Sequence, residues 1–158
     1  MSGIVCAIRG GPSCKSTVTQ AITLAKNAHL SLYFLYVVNH DFLSPASNDH
    51  THAVSEKMHQ MGQAVLFTVQ NKASALGVAS ETVVRQGDVE DEILSLCRDL
   101  DADYVMLGRP RDHQRENVFT RDSLKKLSQQ IEREVGAQVV LPDRGGVQMD
   151  RADAEYSP

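Results

Sequence analysis

The stretch Ile4-Val5-Cys6-Ala7-Ile8 decides how this chain begins to fold. It is continuously apolar and too short for a typical buried helix, which is the pattern of a strand covered on both faces of a parallel sheet. Gly10-Gly11-Pro12 then breaks the strand, and Ser13 or Ser16 can cap a helix that runs to about Ala28. The N-terminal region therefore predicts a strand, a turn and a helix in succession.

The same alternation continues along the chain. Short runs rich in β-branched and aromatic residues predict four more strands, at 30–38, 80–85, 105–107 and 138–141. The segment 39–51 contains Pro45 and many polar side chains, and it predicts a loop. Gly77 and Gly136 predict the ends of two helices, and Asp88 predicts the N-cap of another.

Apolar residues at steps of three and four predict the inner faces of the remaining three helices. The longest stripe comprises Val54, Met58, Met61, Val65, Val69, Ala73 and Leu76. The next helix presents Val89, Ile93, Cys97 and Leu100, and the last presents Leu124, Leu127, Ile131 and Val135. Packing in the core is expected for these side chains, including Met58 and Met61.

Strands that alternate with helices predict an α/β fold, with a five-stranded parallel sheet, helices on both faces and right-handed crossovers, as in Rossmann-like proteins. The length of 158 residues fits one domain, which we place at residues 1–142. Residues 143–158 have no apolar periodicity, so they predict a flexible C-terminal tail.

Composition narrows the class of protein. A net charge of -4 argues against a broad nucleic-acid-binding surface. Three cysteines without a CxxC spacing argue against a disulfide framework or a thiolate zinc site, which favours a reducing, cytoplasmic setting. No apolar run approaches the roughly 18 residues that a membrane helix needs, and no secretory leader is evident, so no membrane partner is expected.

Three stretches resemble the universal stress protein family. They are residues 4–8 as its first strand, Gly87-Asp88 through Ile93-Leu94 as its turn into the third helix, and Ala102-Asp103-Tyr104-Val105-Met106-Leu107-Gly108 as its fourth strand. The last is the most specific, and the similarity extends from about Gly3 to Leu141. The resemblance implies the adenine nucleotide alpha hydrolase-like version of the fold and a homodimer formed through the last strand, where Val139-Val140-Leu141 is an apolar edge.

The nucleotide-binding motif of that family is altered here. Members that bind ATP have an Asp after the first strand and, after the fourth, a loop with three glycines and a final Ser or Thr. The chain keeps Gly108, whereas Arg9 takes the place of the ribose Asp, Arg111 and Arg121 replace glycines, and Asp122 replaces the hydroxyl residue. Glycine allows backbone amides to approach phosphate, so these changes predict weak or absent ATP binding.

The altered residues still predict an anion site at the carboxyl ends of strands one and four, where doubly wound sheets bind ligands. Arginine pairs bidentately with phosphate or carboxylate. The cofactor-binding set that the resemblance implies is Arg9, Gly10, Val38, Gly108, Arg109, Arg111, Arg121, Asp122 and Ser123. ATP, AMP and phosphate are the candidate ligands. The alternative is a solvated loop in which the arginines, with Arg115, pair with Asp112, Glu116 and Asp122.

Three other groups of residues give weaker indications of a functional site. Residues 10–17 look like a P-loop, but glycine is missing at Arg9 and Cys14, so a turn and helix start is the simpler interpretation. Cys14 near a helix start could be a reactive thiolate or an inert small residue. His50, His52 and His59 could bind a metal but have no acidic or Cys ligand at tight spacing, so exposed histidines are expected and no metal is assigned.

These patterns favour a non-catalytic regulatory domain of stress response, dimeric, with an arginine-lined anion or nucleotide site. No Ser-His-Asp order, carboxylate pair or nucleophile elbow can be assembled from local spacing. The competing class is an enzyme, either an ATP-hydrolysing relative or a degenerate P-loop phosphotransferase that uses Lys15. A third class is a sensor domain that regulates a transporter or kinase through protein contact.

Overall fold

The computed structural model describes residues 3–8, 14–38, 48–107 and 121–141, without the side chains of residues 14, 48–55 and 121. The elements in chain order are β1 (Ile4–Ile8), α1 (Cys14–Ala28), β2 (Leu32–Val38), α2 (Asn48–Ala75), β3 (Ser80–Gln86), α3 (Val89–Leu100), β4 (Tyr104–Met106), α4 (Arg121–Glu134) and β5 (Gln138–Val140). The predicted five strands and four helices are confirmed. The predicted tail, 143–158, lies outside the described residues.

One predicted boundary is wrong, and one of two alternative caps is excluded. Residues 48–51, predicted as the end of a loop, already belong to α2, which begins at Asn48. Polar residues such as these favour a loop, but short polar side chains are equally favoured at helix starts. Ser16 lies inside α1, which begins at Cys14, so it is not an N-cap. Ser13, the other predicted cap, lies outside the described ranges.

The five strands form one parallel sheet in the order β3-β2-β1-β4-β5. Cys6 pairs with Phe34 on one side and Met106 on the other, so β1 lies at the centre of the sheet. From β1 the chain moves outward to β2 and β3, and then it crosses back to β4 and β5. The strand order therefore reverses between β1 and β4, which confirms the predicted Rossmann-like architecture.

Two buried cores lie on opposite faces of the sheet. Cys6 and Phe34 point to one face with the inner residues of α1 and α2, such as Ile22 and Leu66. Val5 and Leu35 point to the other face with residues of α3 and α4. Successive side chains of a strand alternate between faces, so continuously apolar strands are what a sheet covered on both sides requires.

The inner face of α2 differs from its predicted stripe. Met61 is 58% exposed and Leu76 is 45% exposed, so their predicted core packing is wrong. Gly62 lies against the sheet instead, because a Cβ on that residue would come within 2.6 Å of Cδ1 in the Tyr36 ring. A three- or four-residue spacing defines a broad arc of the helix, and the ring on β2 decides which part of that arc is buried.

Local signals at the helix ends are confirmed. The side chain of Asp88 accepts a hydrogen bond from the Asp91 N–H at 3.1 Å and caps α3. Gly77 and Gly136 follow α2 and α4 with φ of 81° and 82°, in the left-handed region that a side chain disfavours.

Candidate functional site

The carboxyl ends of β1 and β4 lie side by side, because Cys6 pairs with Met106 two residues before the end of β1. After β1 the chain enters α1 on one face of the sheet, and after β4 it enters α4 on the other face. Chain segments that leave in opposite directions open a crevice where Rossmann-like proteins bind ligands. The predicted residues Arg9, Gly10, Gly108, Arg109 and Arg111 lie outside the described ranges.

Val38 is the described part of the predicted site on β2. Its side chain is fully buried, and its carbonyl oxygen accepts a hydrogen bond from the Gly87 N–H at 3.0 Å. The side chain of Val38 therefore packs in the core beneath α1 and α2, and its carbonyl ties the end of β2 to the turn that follows β3.

The N-terminus of α4 carries the predicted residues Arg121, Asp122 and Ser123. Asp122 is exposed and Ser123 is half-buried, both in the first turn, and the side chain of Arg121 is not described. Free N–H groups give a helix N-terminus a partial positive charge. Asp122 already supplies a negative charge there, so it competes with any external anion for this end of the helix.

The N-terminus of α3 is strongly acidic, with Glu90, Asp91 and Glu92 in its first turn after the cap Asp88. Burial raises the pKa of Glu90 above its ordinary value, and the charges of Asp88 and Asp91 raise it further, while Lys126 on α4 lowers it. The influence of Lys126 places the first turn of α3 close to α4. Sequence reasoning missed this pair, because residues 36 positions apart give no local signal of proximity.

We expect Glu90→Gln to stabilise the fold at neutral pH. The folded-state pKa is raised, so ionisation of Glu90 costs stability as pH rises from the unfolded-state value through the folded one. The advantage of the variant should vanish towards pH 4, measured by chemical denaturation. Glu134→Gln should instead destabilise the fold at neutral pH, because hydrogen bonds from Gln130 and Arg98 lower the pKa of Glu134 in the folded state. That loss should disappear as pH falls through the lowered pKa. Equal pH profiles for the two variants would contradict this assignment.

The turn between β3 and α3 is held by close contacts. Gly87 has a φ of 148°, and a Cβ there would lie 2.9 Å from Oε2 of Glu92. Nη1 of Arg85 lies 3.8 Å from Oε1 of Glu92. The same guanidinium donates hydrogen bonds to Oγ of Ser95 at 3.2 Å and to Oδ2 of Asp99 at 3.0 Å. Because these side chains join β3 to α3, the acidic turn is fixed at the carboxyl end of the sheet.

The other predicted reactive groups do not assemble into a site. His59 hydrogen-bonds Oε1 of Gln86 at 3.1 Å, while the side chains of His50 and His52 are not described. Across the described ranges, no three His, Cys, Asp or Glu residues are placed to hold a metal ion. Burial raises the pKa of the Cys97 thiol to about 12, which makes that thiol unreactive. The side chain of Cys14 is not described.

Two cavities in the described part of the chain lie elsewhere. One of about 570 Å³ is open and lies at the amino end of the sheet, beside Ala28, Asp103 and Gly136. Another of about 290 Å³ runs between α1 and the edge of the sheet, lined by Leu24, Met106 and Val140. Neither includes a predicted site residue. We therefore locate the candidate site by the reversal of strand order, because cavity size does not reveal it.

Comparison with known proteins agrees with the fold. The profile of the Universal stress protein family matches residues 1–135. The structure is similar to universal stress protein UspA from Lactobacillus plantarum, with a TM-score of 0.72 and 13% identity over 90% of this chain and 97% of that one.

Several similar structures hold nucleotides. The universal stress protein from Archaeoglobus fulgidus in complex with dAMP has a TM-score of 0.59 and 12% identity, covering 90% of this chain and 98% of its own. An Arabidopsis thaliana protein of the family with AMP bound has a TM-score of 0.57 and 15% identity, covering 96% and 98%. At identities this low, the structural similarity shows a shared fold alone.

Two searches gave no positive result. No curated protein matches this sequence. Among the helices that the structure describes, none has both the length and the apolar character to cross a bilayer.

Proposed function

Because this chain belongs to the universal stress protein family, we propose that it is a non-catalytic regulatory domain of stress response that binds a nucleoside monophosphate or phosphate at the crevice between β1 and β4. The observation that carries this proposal is the reversal of strand order at that point. Arg9 directly follows β1, and Arg109 and Arg111 follow β4 within five residues. The nucleotides in the two similar complexes, dAMP and AMP, support the same ligand class.

Electrostatics favours a ligand with few phosphates. The first turns of the helices at this end of the sheet carry the carboxylates of Asp88, Glu90 and Asp91 on α3 and of Asp122 on α4. Every further phosphate adds negative charge at the same end of the sheet, and close like charges repel strongly where water is partly excluded. The arginines after β1 and β4 offset the charge of one phosphate more readily than that of three.

The replaced glycines point in the same direction. A triphosphate needs a loop whose backbone amides approach it closely, and a residue with a Cβ resists the required positive φ. Arg111 and Arg121 occupy two of these positions. The proposed site therefore relies on guanidinium groups, which form bidentate hydrogen bonds with a single phosphate.

Calorimetry with AMP, inorganic phosphate and MgATP tests this function. We expect AMP to bind more tightly than MgATP, and replacement of both Arg9 and Arg111 by Ala to weaken AMP binding at least tenfold, which is about 1.4 kcal/mol. The salt dependence should also flatten, since fewer screened contacts remain. Arg133→Ala, in the last turn of α4, is the control and should change neither.

Two outcomes would overturn the proposal. One is a dissociation constant for MgATP below about 10 μM, or roughly 7 kcal/mol of binding free energy. The other is an unchanged affinity for AMP and phosphate in the double variant, in which case the arginines are surface charges paired with neighbouring acids.

We also propose that the protein forms a homodimer through residues 138–141. β5 is a sheet edge of three residues, and the half-buried Val140 lies on it. An unpaired edge exposes N–H and C=O groups that a second copy can pair. Val140→Lys should halve the mass measured by light scattering, and an unchanged mass would exclude this interface.

A further inference from the structure

The outward face of α2 is unusually apolar for a surface helix. Phe67 is 65% exposed and Met61 is 58% exposed. They belong to an exposed stripe, here named the α2 seam, that consists of Met61, Ala64, Phe67, Thr68, Asn71 and Ala75. Exposed apolar side chains that cluster on one element mark an interaction surface more often than isolated ones do.

The α2 seam has the spacing of a helix that packs against another helix. Met61, Ala64, Thr68, Asn71 and Ala75 follow one another at steps of three, four, three and four residues. This alternation places the five residues in one line on the exposed face of α2, where a second helix could pack as in a coiled coil, and Phe67 lies beside that line. The two alanines leave room for a neighbouring helix to approach, while Phe67 and Met61 supply the area that it would bury.

Charge is almost absent from this part of the chain. Between residues 58 and 80 the sequence has one charged residue, Lys72, although 23% of the whole chain is charged and about five would be expected. The Lys72 ammonium donates a hydrogen bond to Oγ1 of Thr19 on α1 at 2.8 Å, so it is directed away from the seam. An uncharged face selects a partner that is itself uncharged there.

The polar groups of the seam do not demand water. The hydroxyl of Thr68 donates to the carbonyl oxygen of Ala64 at 3.0 Å, within the helix. Asn71 carries both a donor and an acceptor, so its amide can pair with the same amide of another copy. Seam asparagines commonly fix the register of helix pairs in this way.

We propose that the α2 seam is an interface with a second copy of this chain, formed by packing of α2 against α2. A second copy is the partner that necessarily presents the same uncharged, coiled-coil-spaced face. The seam spans 14 residue steps from Met61 to Ala75, or about 21 Å of helix. Stable interfaces bury about 800 Å² on each partner, so a single helix pair of this length forms a weak, concentration-dependent contact.

This contact is distinct from the one proposed through β5, because α2 covers the opposite end of the sheet. In the strand order, β5 is one edge, while α2 packs on β2 and β3 at the other. Two independent two-fold contacts convert dimers into tetramers or larger assemblies at high concentration.

Light scattering from about 5 to 500 μM tests the proposal. We expect the mass of the wild-type protein to rise with concentration, and Thr68→Arg to reduce the mass at the upper end at least twofold. Gln63→Arg adds the same charge on an exposed position of α2 outside the seam, and it should behave like the wild type. Thermal melts confirm that both variants fold.

The variant Val140→Lys separates the two interfaces. If the mass of Val140→Lys still rises with concentration and the added Thr68→Arg change abolishes that rise, the α2 seam is confirmed. A wild-type mass that is constant up to 500 μM, or a concentration dependence that Thr68→Arg leaves unchanged, would overturn it. AMP binding by Thr68→Arg should remain at the wild-type level, so failure of the seam and failure of the nucleotide site are distinguishable.

Discussion

Phe34→Ala should destabilise the fold by about 3–5 kcal/mol, the largest effect expected of a single truncation among the described residues. Phe34 is the largest of their fully buried side chains. It lies on β2, between β1 and β3, and packs against the cores of α1 and α2. Truncation removes apolar contacts and leaves a cavity that rigid neighbouring strands cannot fill.

Phe67→Ala is the matched control for this prediction. The chemical change is identical, but Phe67 is 65% exposed on α2. At low micromolar concentration, where the proposed contact between α2 helices is dissociated, its cost should be within about 0.5 kcal/mol. Denaturant titration measures both. A loss for Phe34→Ala of less than about 1 kcal/mol would mean that the core on this face is not closely packed.

Gly62→Ala should destabilise the protein by about 1–2 kcal/mol, although alanine favours a helix over glycine by about 1 kcal/mol. The added Cβ would lie 2.6 Å from Cδ1 and 2.9 Å from Cε1 of Tyr36. That ring is buried on β2, so α2 must move away from the sheet to relieve the overlap. Overpacking of this kind costs about 1–3 kcal/mol in general.

Two companion variants isolate the cause of the Gly62 effect. Ala64→Gly lies on the exposed face of the same helix; at low micromolar concentration, where the proposed contact between α2 helices is dissociated, it measures helix propensity, with an expected loss of about 1 kcal/mol. A smaller side chain at Tyr36, as in Tyr36→Leu, should make Gly62→Ala less costly, because the two residues are in contact and their effects are coupled. If Gly62→Ala raises the melting temperature, α2 does not pack against the Tyr36 ring as described.

The fold could be predicted from local patterns to a large extent. Residues 4–8 and 32–38 are continuously apolar, and such strands are stable only inside a sheet covered on both faces. Asp88 and Gly136 were predicted as helix boundaries because an N-cap acceptor and a left-handed residue act within one turn. These features depend on residues that are close in sequence, so they can be predicted from the sequence alone.

The predicted site was less accessible to such reasoning. Val38, Asp122 and Ser123 lie at the carboxyl end of β2 and the N-terminus of α4, but the predicted arginine cluster stays a prediction, because Arg9, Arg109 and Arg111 lie outside the described residues. The acidic first turn of α3 and its approach to Lys126 were not predicted. Their effect on the pKa of Glu90 arises from burial and from the meeting of two helices.

The sequence by itself determined the succession of strands and helices along the chain, several of the helix ends and the alternation that requires a parallel sheet, because backbone sterics, capping and apolar periodicity are local. Only the tertiary structure decided which arc of α2 is buried. The Tyr36 ring admits Gly62 and no larger residue, so Met61 and Phe67 are left on the surface. Helical spacing alone does not predict the buried arc. It gives the period of the apolar residues, but it does not determine which of them face the sheet.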